Sequence, residues 1–147
     1  MSGYRIEPIL AEHLSDVARL ERLCFAQPWS ERSLELLLTD AATGFVCLWD
    51  GCAVAYGGML LAPDEGQITN IAVDPDHRRR GLGMLLMERL EEAARARGLL
   101  QIALEVRASN NAAIALYERT GYTVAGRRPN FYTSPREDAL VMLRVLG

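Results

Sequence analysis

The stretch from Asn70 to Met84 constrains the fold most, because strand, turn and helix signals follow one another within it. An apolar run ends at Asp74-Pro75, a pair that stops a strand. Three arginines then precede Gly81-Leu82-Gly83, where a long amphipathic pattern begins. The first N–H groups of a helix lack partners and lie at the positive end of its dipole, so they bind phosphate. This order predicts a phosphate-bearing cofactor that lies along the strand edge and ends on the helix.

Glycine-rich turns before helices also bind other ligands, and two of these alternatives fail on the residues present. A dinucleotide fingerprint needs a third glycine three residues after Gly83, where the chain has Leu86. A nucleoside triphosphate loop needs a lysine, whereas all 16 basic residues of this chain are arginine. The remaining alternative is a helix that merely begins with glycines behind a solvated arginine run.

Size, charge and hydropathy limit the possible classes of protein. The chain has 147 residues, 50% of them hydrophobic and 24% charged, which predicts one soluble domain over residues 1–147. We find neither a membrane-length apolar run nor an apolar signal core, so we expect no membrane partner and a cytoplasmic protein. A net charge of −3 disfavours nucleic acid and suits a basic peptide or an amine. His13 and His77 lack ligand spacing, so no metal is expected.

Hydrophobic periodicity divides the chain into strands and helices. Asp50-Gly51 is typical of a tight hairpin in the first half, and the second half alternates strand and helix. This order predicts an α/β protein with a mixed sheet and helices on both faces. We predict strands at 4–9, 45–49, 53–61, 67–73, 100–106, 122–127 and 139–146, and helices at 11–24, 30–38, 81–97 and 111–119.

Glu105 is the one charged residue within the strongly apolar strand predicted at 100–106. Open α/β sheets place their ligands at the carboxyl ends of such strands. The carboxylate is therefore a candidate general base. The alternative is a structural ion pair with Arg107 or Arg127 at the sheet edge, and spacing alone does not decide between the two.

The predicted helix at 111–119 carries a second group of candidates. Asn110 and Asn111 lie at its start, where an amide caps the helix or holds a polar ligand. Tyr117 lies near its end, and a phenol of pKa about 10 suits protonation of a departing thiolate. The alternative is a core tyrosine whose hydroxyl is satisfied by the protein.

The pattern Arg78-x-x-Gly81-x-Gly83 resembles the acetyl-CoA signature of the GNAT N-acetyltransferases. Over nearly the whole chain, the sequence also resembles the RimI-type ribosomal-protein alanine N-acetyltransferases within that superfamily. The resemblance implies the GNAT fold, a mostly antiparallel sheet with one splayed parallel strand pair. The segments that carry it are Pro28-Trp29-Ser30, Leu104 to Asn110, Ala115-Leu116-Tyr117, Arg127 to Tyr132 and Arg136 to Ala139.

The resemblance also implies roles for the site residues. Glu105 is the expected proton acceptor, Tyr117 the proton donor and Asn110 a cofactor contact. Acetyl transfer is direct, within a ternary complex, and needs no covalent enzyme intermediate. Acetyl-CoA is expected on the backbones of Ile71, Ala72 and Val73 and of the turn Arg78, Arg79, Arg80, Gly81, Leu82, Gly83 and Met84.

The expected acceptor is the N-terminal peptide of a basic protein, and the resemblance points to the N-terminal alanine of small-subunit ribosomal protein eighteen. Two alternatives stay open. One is a GNAT enzyme that acts on a small amine or on other protein N-termini. The other is a module that binds CoA without catalysis, which the joint presence of Glu105 and Tyr117 disfavours.

Overall fold

The computed structural model describes residues 3–147, which form a mixed seven-stranded sheet with helices on both faces. The order of strands across the sheet is β1-β2-β3-β4-β5-β7-β6. The strands are β1 (Tyr4–Pro8), β2 (Ala42–Trp49), β3 (Cys52–Leu61), β4 (Glu65–Val73), β5 (Gln101–Arg107), β6 (Thr123–Thr133) and β7 (Arg136–Val145). The helices are α1 (Leu14–Cys24), α2 (Glu31–Leu34), α3 (Leu82–Ala96) and α4 (Asn111–Arg119).

Strands β4 and β5 form the parallel pair, and all other neighbours are antiparallel. The parallel pairing covers only Glu65–Gln67 against Gln101–Ala103. Beyond it, β4 continues along β3 and β5 continues along β7, so the two strands diverge. The predicted mixed sheet with a splayed parallel pair is thus confirmed, and the divergence opens a cleft in the middle of the sheet.

A β-bulge in β4 lies where the cleft begins. Ile68 pairs with Met59 and Ile71 pairs with Gly57, so two residues of β4, Thr69 and Asn70, lie opposite Gly58. An extra residue bends a strand and interrupts its ladder. The bulge therefore turns the last residues of β4 away from β5.

Two apolar clusters hold the helices on the sheet. On one face, α3 buries Leu86 and Leu90 completely. On the other face, α1 and α2 bury Val17, Leu20 and Leu34 completely. Burying such a side chain is worth about 1.5–3 kcal/mol, so both faces contribute to stability. No helix within residues 3–147 has the length and apolarity needed to cross a membrane.

The hairpin turn at Asp50-Gly51 and the helix cap at Ser30 form as the sequence predicts. Asp50 and Gly51 both have positive φ, 52° and 80°, as a two-residue hairpin turn requires. Ser30 caps the second helix, since its Oγ accepts a hydrogen bond from the Ser33 N–H at 3.1 Å. That helix is shorter than predicted, because α2 ends at Leu34 and a 3-10 turn continues over Glu35–Leu38.

The last hairpin is longer than the sequence predicts. Strand β6 runs to Thr133 instead of ending near 127, and β7 begins at Arg136 instead of 139. Pro129 indicates the end of a strand because it lacks an N–H donor. However, β6 lies at the edge of the sheet, where a proline is tolerated at a bulge. The register indeed shifts between Arg128 and Tyr132.

Candidate active site

The splayed strands open a cavity of about 320 Å³. Four of the predicted site residues line it together, namely Ile71 from β4, Glu105 from β5, Asn110 at the start of α4 and Tyr117 near its end. The other predicted cofactor residues do not line it. The Ala72 side chain is buried in the cluster on the α1 face, and the turn at 78–84 follows β4 outside the cavity.

The β4 backbone presents hydrogen-bonding groups to the cleft. The Asp74 N–H donates to the Val54 carbonyl of β3 at 2.8 Å. Successive residues of a strand alternate in the direction of their backbone groups. The N–H and C=O groups of Val73 and Ile71 therefore point away from β3, toward the opened side of the sheet. The exposed strand edge that the sequence predicted for a cofactor is present here.

Glu105 lies on the cavity wall with a side chain that is 19% exposed. Its Oε2 forms an ion pair with Arg128, at 2.7 Å from Nε. The structural pairing considered from the sequence therefore has the wrong partners. Arg107 pairs instead with Glu137, and Arg127 pairs with Asp138. Glu105 thus combines a partner at the sheet edge with a position in the cleft.

Tyr117 is buried, and its ring lines the same cavity. Among residues 3–147, its hydroxyl has no hydrogen-bond partner, in contrast to the satisfied core tyrosine that we considered as the alternative. Burial, and after it the nearby Tyr132, together raise the pKa of this phenol to about 12. Tyr117 therefore keeps its proton at neutral pH and is able to donate a hydrogen bond into the cleft.

Asn110 connects the cleft to α4. Its side-chain oxygen accepts from the Ala113 N–H at 3.1 Å and so caps the helix. The residue also lines the cavity. One asparagine thus fixes the start of the helix that carries Tyr117 and borders the space where a ligand would lie.

The turn before α3 is built from unusual backbone conformations. Arg79 and Gly81 have positive φ, 64° and 77°, and Gly81 is the residue immediately before the helix. The Leu85 N–H is the first to bond back to Gly81. The preceding three N–H groups of α3 are therefore free of intrahelical partners, as phosphate binding requires. Arg78 braces the turn by donating from Nε to the Val73 carbonyl at 3.2 Å.

Gly83 has a different role from Gly81. A Cβ atom at Gly83 would lie 3.0 Å from Leu116 Cδ2, so this glycine allows α4 to approach α3. A substitution at Gly83 would disturb that packing as well as the turn. Gly81 is therefore the better position at which to test cofactor binding.

We expect Gly81→Ala to weaken acetyl-CoA binding about tenfold, as measured by calorimetry. A left-handed conformation costs a non-glycine residue about 1–2 kcal/mol, and relief of this strain would move the first N–H groups of α3. Gly98→Ala is the matched control, because Gly98 also has a positive φ, 72°, but follows the far end of α3 in open space. Equal affinities in the two variants would remove the turn from the cofactor site.

The loop between α1 and α2 forms the opposite wall of the cavity. Phe25, Gln27 and Trp29 line it, together with Tyr132 from the end of β6. Gln27 Nε2 donates to Thr133 Oγ1 at 2.8 Å, so the loop and the last hairpin meet across the mouth. Cys24, which directly precedes this loop, contacts Arg78 at 3.6 Å, so the wall begins beside the turn before α3 and runs from there to the last hairpin. The space between the loop and Glu105 is the candidate position for an acceptor.

Sequence patterns missed three residues around this cavity. Arg128, the partner of Glu105, was passed over in favour of its neighbours, and nothing in the spacing distinguishes it. Asn70 lines the cavity and donates to Glu21, which lies behind the wall. The available signal was that Glu21 interrupts the apolar face of α1 at helical spacing from Val17.

Residues 14–122 match the acetyltransferase (GNAT) family. The chain belongs to this family. It is an acetyl-CoA-dependent acetyltransferase, and the open β4 edge and the free N–H groups of α3 suit that cofactor. When bound, acetyl-CoA supplies an activated acyl group as a thioester.

Curated relatives and solved structures extend this finding. The [ribosomal protein bS18]-alanine N-acetyltransferase of Escherichia coli strain K12 is 42% identical over 125 residues, which are 84% of each chain. The putative enzyme of that name from Bacillus subtilis strain 168 is 37% identical and covers 89% of this chain and 88% of its own. The crystal structure of the E. coli ribosomal-protein-S18-alanine N-acetyltransferase superposes with a TM-score of 0.90 at 37% identity, over 98% of this chain and 94% of that one.

A more distant structure supports the fold alone. A GNAT family acetyltransferase from Elizabethkingia anophelis, solved with acetyl-CoA bound, has a TM-score of 0.81 at 17% identity. The superposition covers 99% of this chain and 100% of that one. The expected GNAT fold is thus confirmed across large differences in sequence.

Proposed function

We propose that this enzyme acetylates the N-terminal α-amine of a protein, and that its acceptor is the N-terminal alanine of the cytoplasmic ribosomal protein bS18. The observation that carries the proposal is the meeting of Glu105 and Tyr117 in one cavity between the cofactor strand and the loop that follows α1. The names of the relatives at 42% and 37% identity support the choice of acceptor.

Glu105 is the proposed proton acceptor. An α-amino group has a pKa near 7.7–8.0, so a modest base is enough to deliver the uncharged amine at neutral pH. Arg128 Nε contacts Oε2 of this carboxylate, and Oε1 is our candidate for the atom that accepts the proton of the amine. The ion pair would hold the carboxylate in position on the cavity wall.

The remaining groups would position and polarise the reacting atoms. The Ile71 N–H points to the opened side of β4 and is our candidate for a hydrogen bond to the thioester carbonyl oxygen. The Tyr117 hydroxyl would donate to the sulfur of the departing CoA. The transfer needs no enzyme nucleophile, so most of the acceleration would come from holding amine and thioester together.

The carboxylates near the mouth of the cavity are paired with arginines, so a cationic acceptor would be attracted mainly by the net charge of the whole protein. Near the mouth, three arginines each pair with one carboxylate. The net charge of −3 therefore acts over the whole molecule and would draw a basic peptide toward it. Such an attraction weakens as salt screens it.

We expect a basic peptide that begins with alanine to be acetylated faster than two competitors in the same mixture. One competitor is this peptide with a blocked N-terminus and an added lysine, and the other is spermidine. A lysine amine has a pKa near 10.4 and is almost wholly protonated at neutral pH, so it should be the poorer nucleophile. Mass spectrometry would measure each product. Faster acetylation of the blocked peptide or of spermidine would contradict the proposed function.

A further inference from the structure

Glu21 is a fully buried carboxylate that the proposed chemistry does not use. It lies in α1, within the apolar cluster formed by α1, α2 and one face of the sheet. A buried carboxylate is strongly unfavourable unless donors replace the water that it loses. The donors around Glu21 therefore indicate what the residue does.

Three donors from three parts of the chain meet this carboxylate. The Trp29 backbone N–H donates to Oε1 at 2.8 Å. Asn70 Nδ2 donates to Oε2 at 2.9 Å and to Oε1 at 3.2 Å. The Tyr56 hydroxyl donates to Oε2. Burial, and after it the charge of Glu21, raises the pKa of Tyr56, so this phenol stays a donor.

Two of these donors belong to the cavity wall. Trp29 lies in the loop between α1 and α2, and Asn70 lies in the β4 bulge beside Ile71. Glu21 itself does not line the cavity. One carboxylate thus joins the acceptor-side loop to the strand that carries the cofactor edge.

We propose that Glu21 is a positioning residue for the acceptor, which holds the loop at 25–30 against the β4 bulge and so sets the width of the acceptor half of the cavity. This inference rests on the proposed function in that the acceptor enters between the loop and Glu105. A loop released from Glu21 would leave the acceptor poorly placed, while the free N–H groups of α3 would be unaffected.

The test compares Glu21→Gln with the wild-type enzyme. Glutamine keeps the shape but turns one oxygen into a donor that faces other donors. We expect the KM for the alanine-start peptide to rise about tenfold or more, since hydrogen bonds to charged groups are among the strongest in proteins. The affinity for acetyl-CoA should stay within about twofold, and hydrogen exchange of the Trp29 amide should accelerate about tenfold.

Two control variants separate positioning from general destabilisation. Tyr56→Phe removes the donor to Glu21 that does not line the cavity, so its KM should stay within about twofold of wild type. Glu12→Gln makes the same chemical change at an exposed site just before α1 and should change nothing. If Glu21→Gln does not fold, Glu21→Asp serves instead, because the shorter side chain keeps the charge but cannot reach all three donors.

An unchanged KM in a folded Glu21 variant would overturn the inference. So would an equal rise of KM in Tyr56→Phe, or a parallel loss of acetyl-CoA affinity in Glu21→Gln. If the wild-type enzyme acetylates spermidine and not peptides, the proposed function fails. The KM values of Glu21→Gln and the wild-type enzyme are then compared with spermidine as the acceptor. The exchange measurement needs no acceptor, so it tests the role of Glu21 in either case.

Discussion

Glu105→Gln is expected to lower turnover about 10²- to 10⁴-fold, because it removes the carboxylate and keeps its shape. Glu105 lines the cavity and does not touch the turn before α3. The affinity for acetyl-CoA, measured by calorimetry, should therefore stay within about twofold. Rates are compared with the alanine-start peptide at saturating acetyl-CoA.

Asp138→Asn is the matched control for this prediction. Asp138 also pairs with an arginine of β6, Arg127, but does not line the cavity. It should keep nearly the full rate. If deprotonation of the amine in bulk water is enough, the loss in Glu105→Gln will shrink as the pH rises through the amine pKa near 7.7–8.0. A wild-type rate at neutral pH would make Glu105 a structural residue.

Tyr117→Phe is expected to slow single-turnover transfer about 10- to 100-fold, the effect of losing a hydrogen bond to a developing negative charge. A free thiol has a pKa of about 8.5, whereas burial raises the pKa of Tyr117 to about 12. Complete proton transfer to the thiolate is therefore unfavourable. The raised pKa therefore favours a hydrogen bond from Tyr117 to the CoA sulfur over the complete transfer of its proton that a phenol of pKa about 10 suggested.

Two measurements check this role. Tyr122→Phe removes the hydroxyl of a buried tyrosine whose ring lies 6.0 Å from that of Tyr117 but outside the cavity, so it should keep its rate. Because burial raises the pKa of Tyr117 to about 12, its ionisation should not appear in the pH–rate profile below about pH 11. A descending limb between pH 8 and 10 that Tyr117→Phe abolishes would contradict this assignment.

The parts of the fold that the sequence predicted are those set by local patterns. The order of strand, proline stop, arginine run and glycine pair predicted the β4 edge and the start of α3, because each step depends on neighbouring residues. Glu105 and Tyr117 were predicted as site residues in the same way, as polar groups at the ends of apolar elements. The structure brings both into one cavity.

The parts that were missed depend on pairing over long distances. The sequence offered Arg107 and Arg127 as partners of Glu105, but the partner is Arg128. Side chains alternate along a strand, so a one-residue bulge changes which arginine faces the cleft. Strand β6 carries such a register shift between Val124 and Gly126, and no local pattern predicts it. The donors to Glu21 likewise come from segments far apart in the chain.

The short pairing between β4 and β5 makes the stability of the folded enzyme depend on its ligand. Past Gln67 and Ala103 the two strands have no ladder between them, so a ligand bound in this gap would add contacts that the free protein lacks. A ligand at 100 times its Kd stabilises a folded protein by roughly 2.7 kcal/mol through mass action. The supply of acetyl-CoA would thus set the resistance of the enzyme to unfolding and proteolysis, as well as its rate.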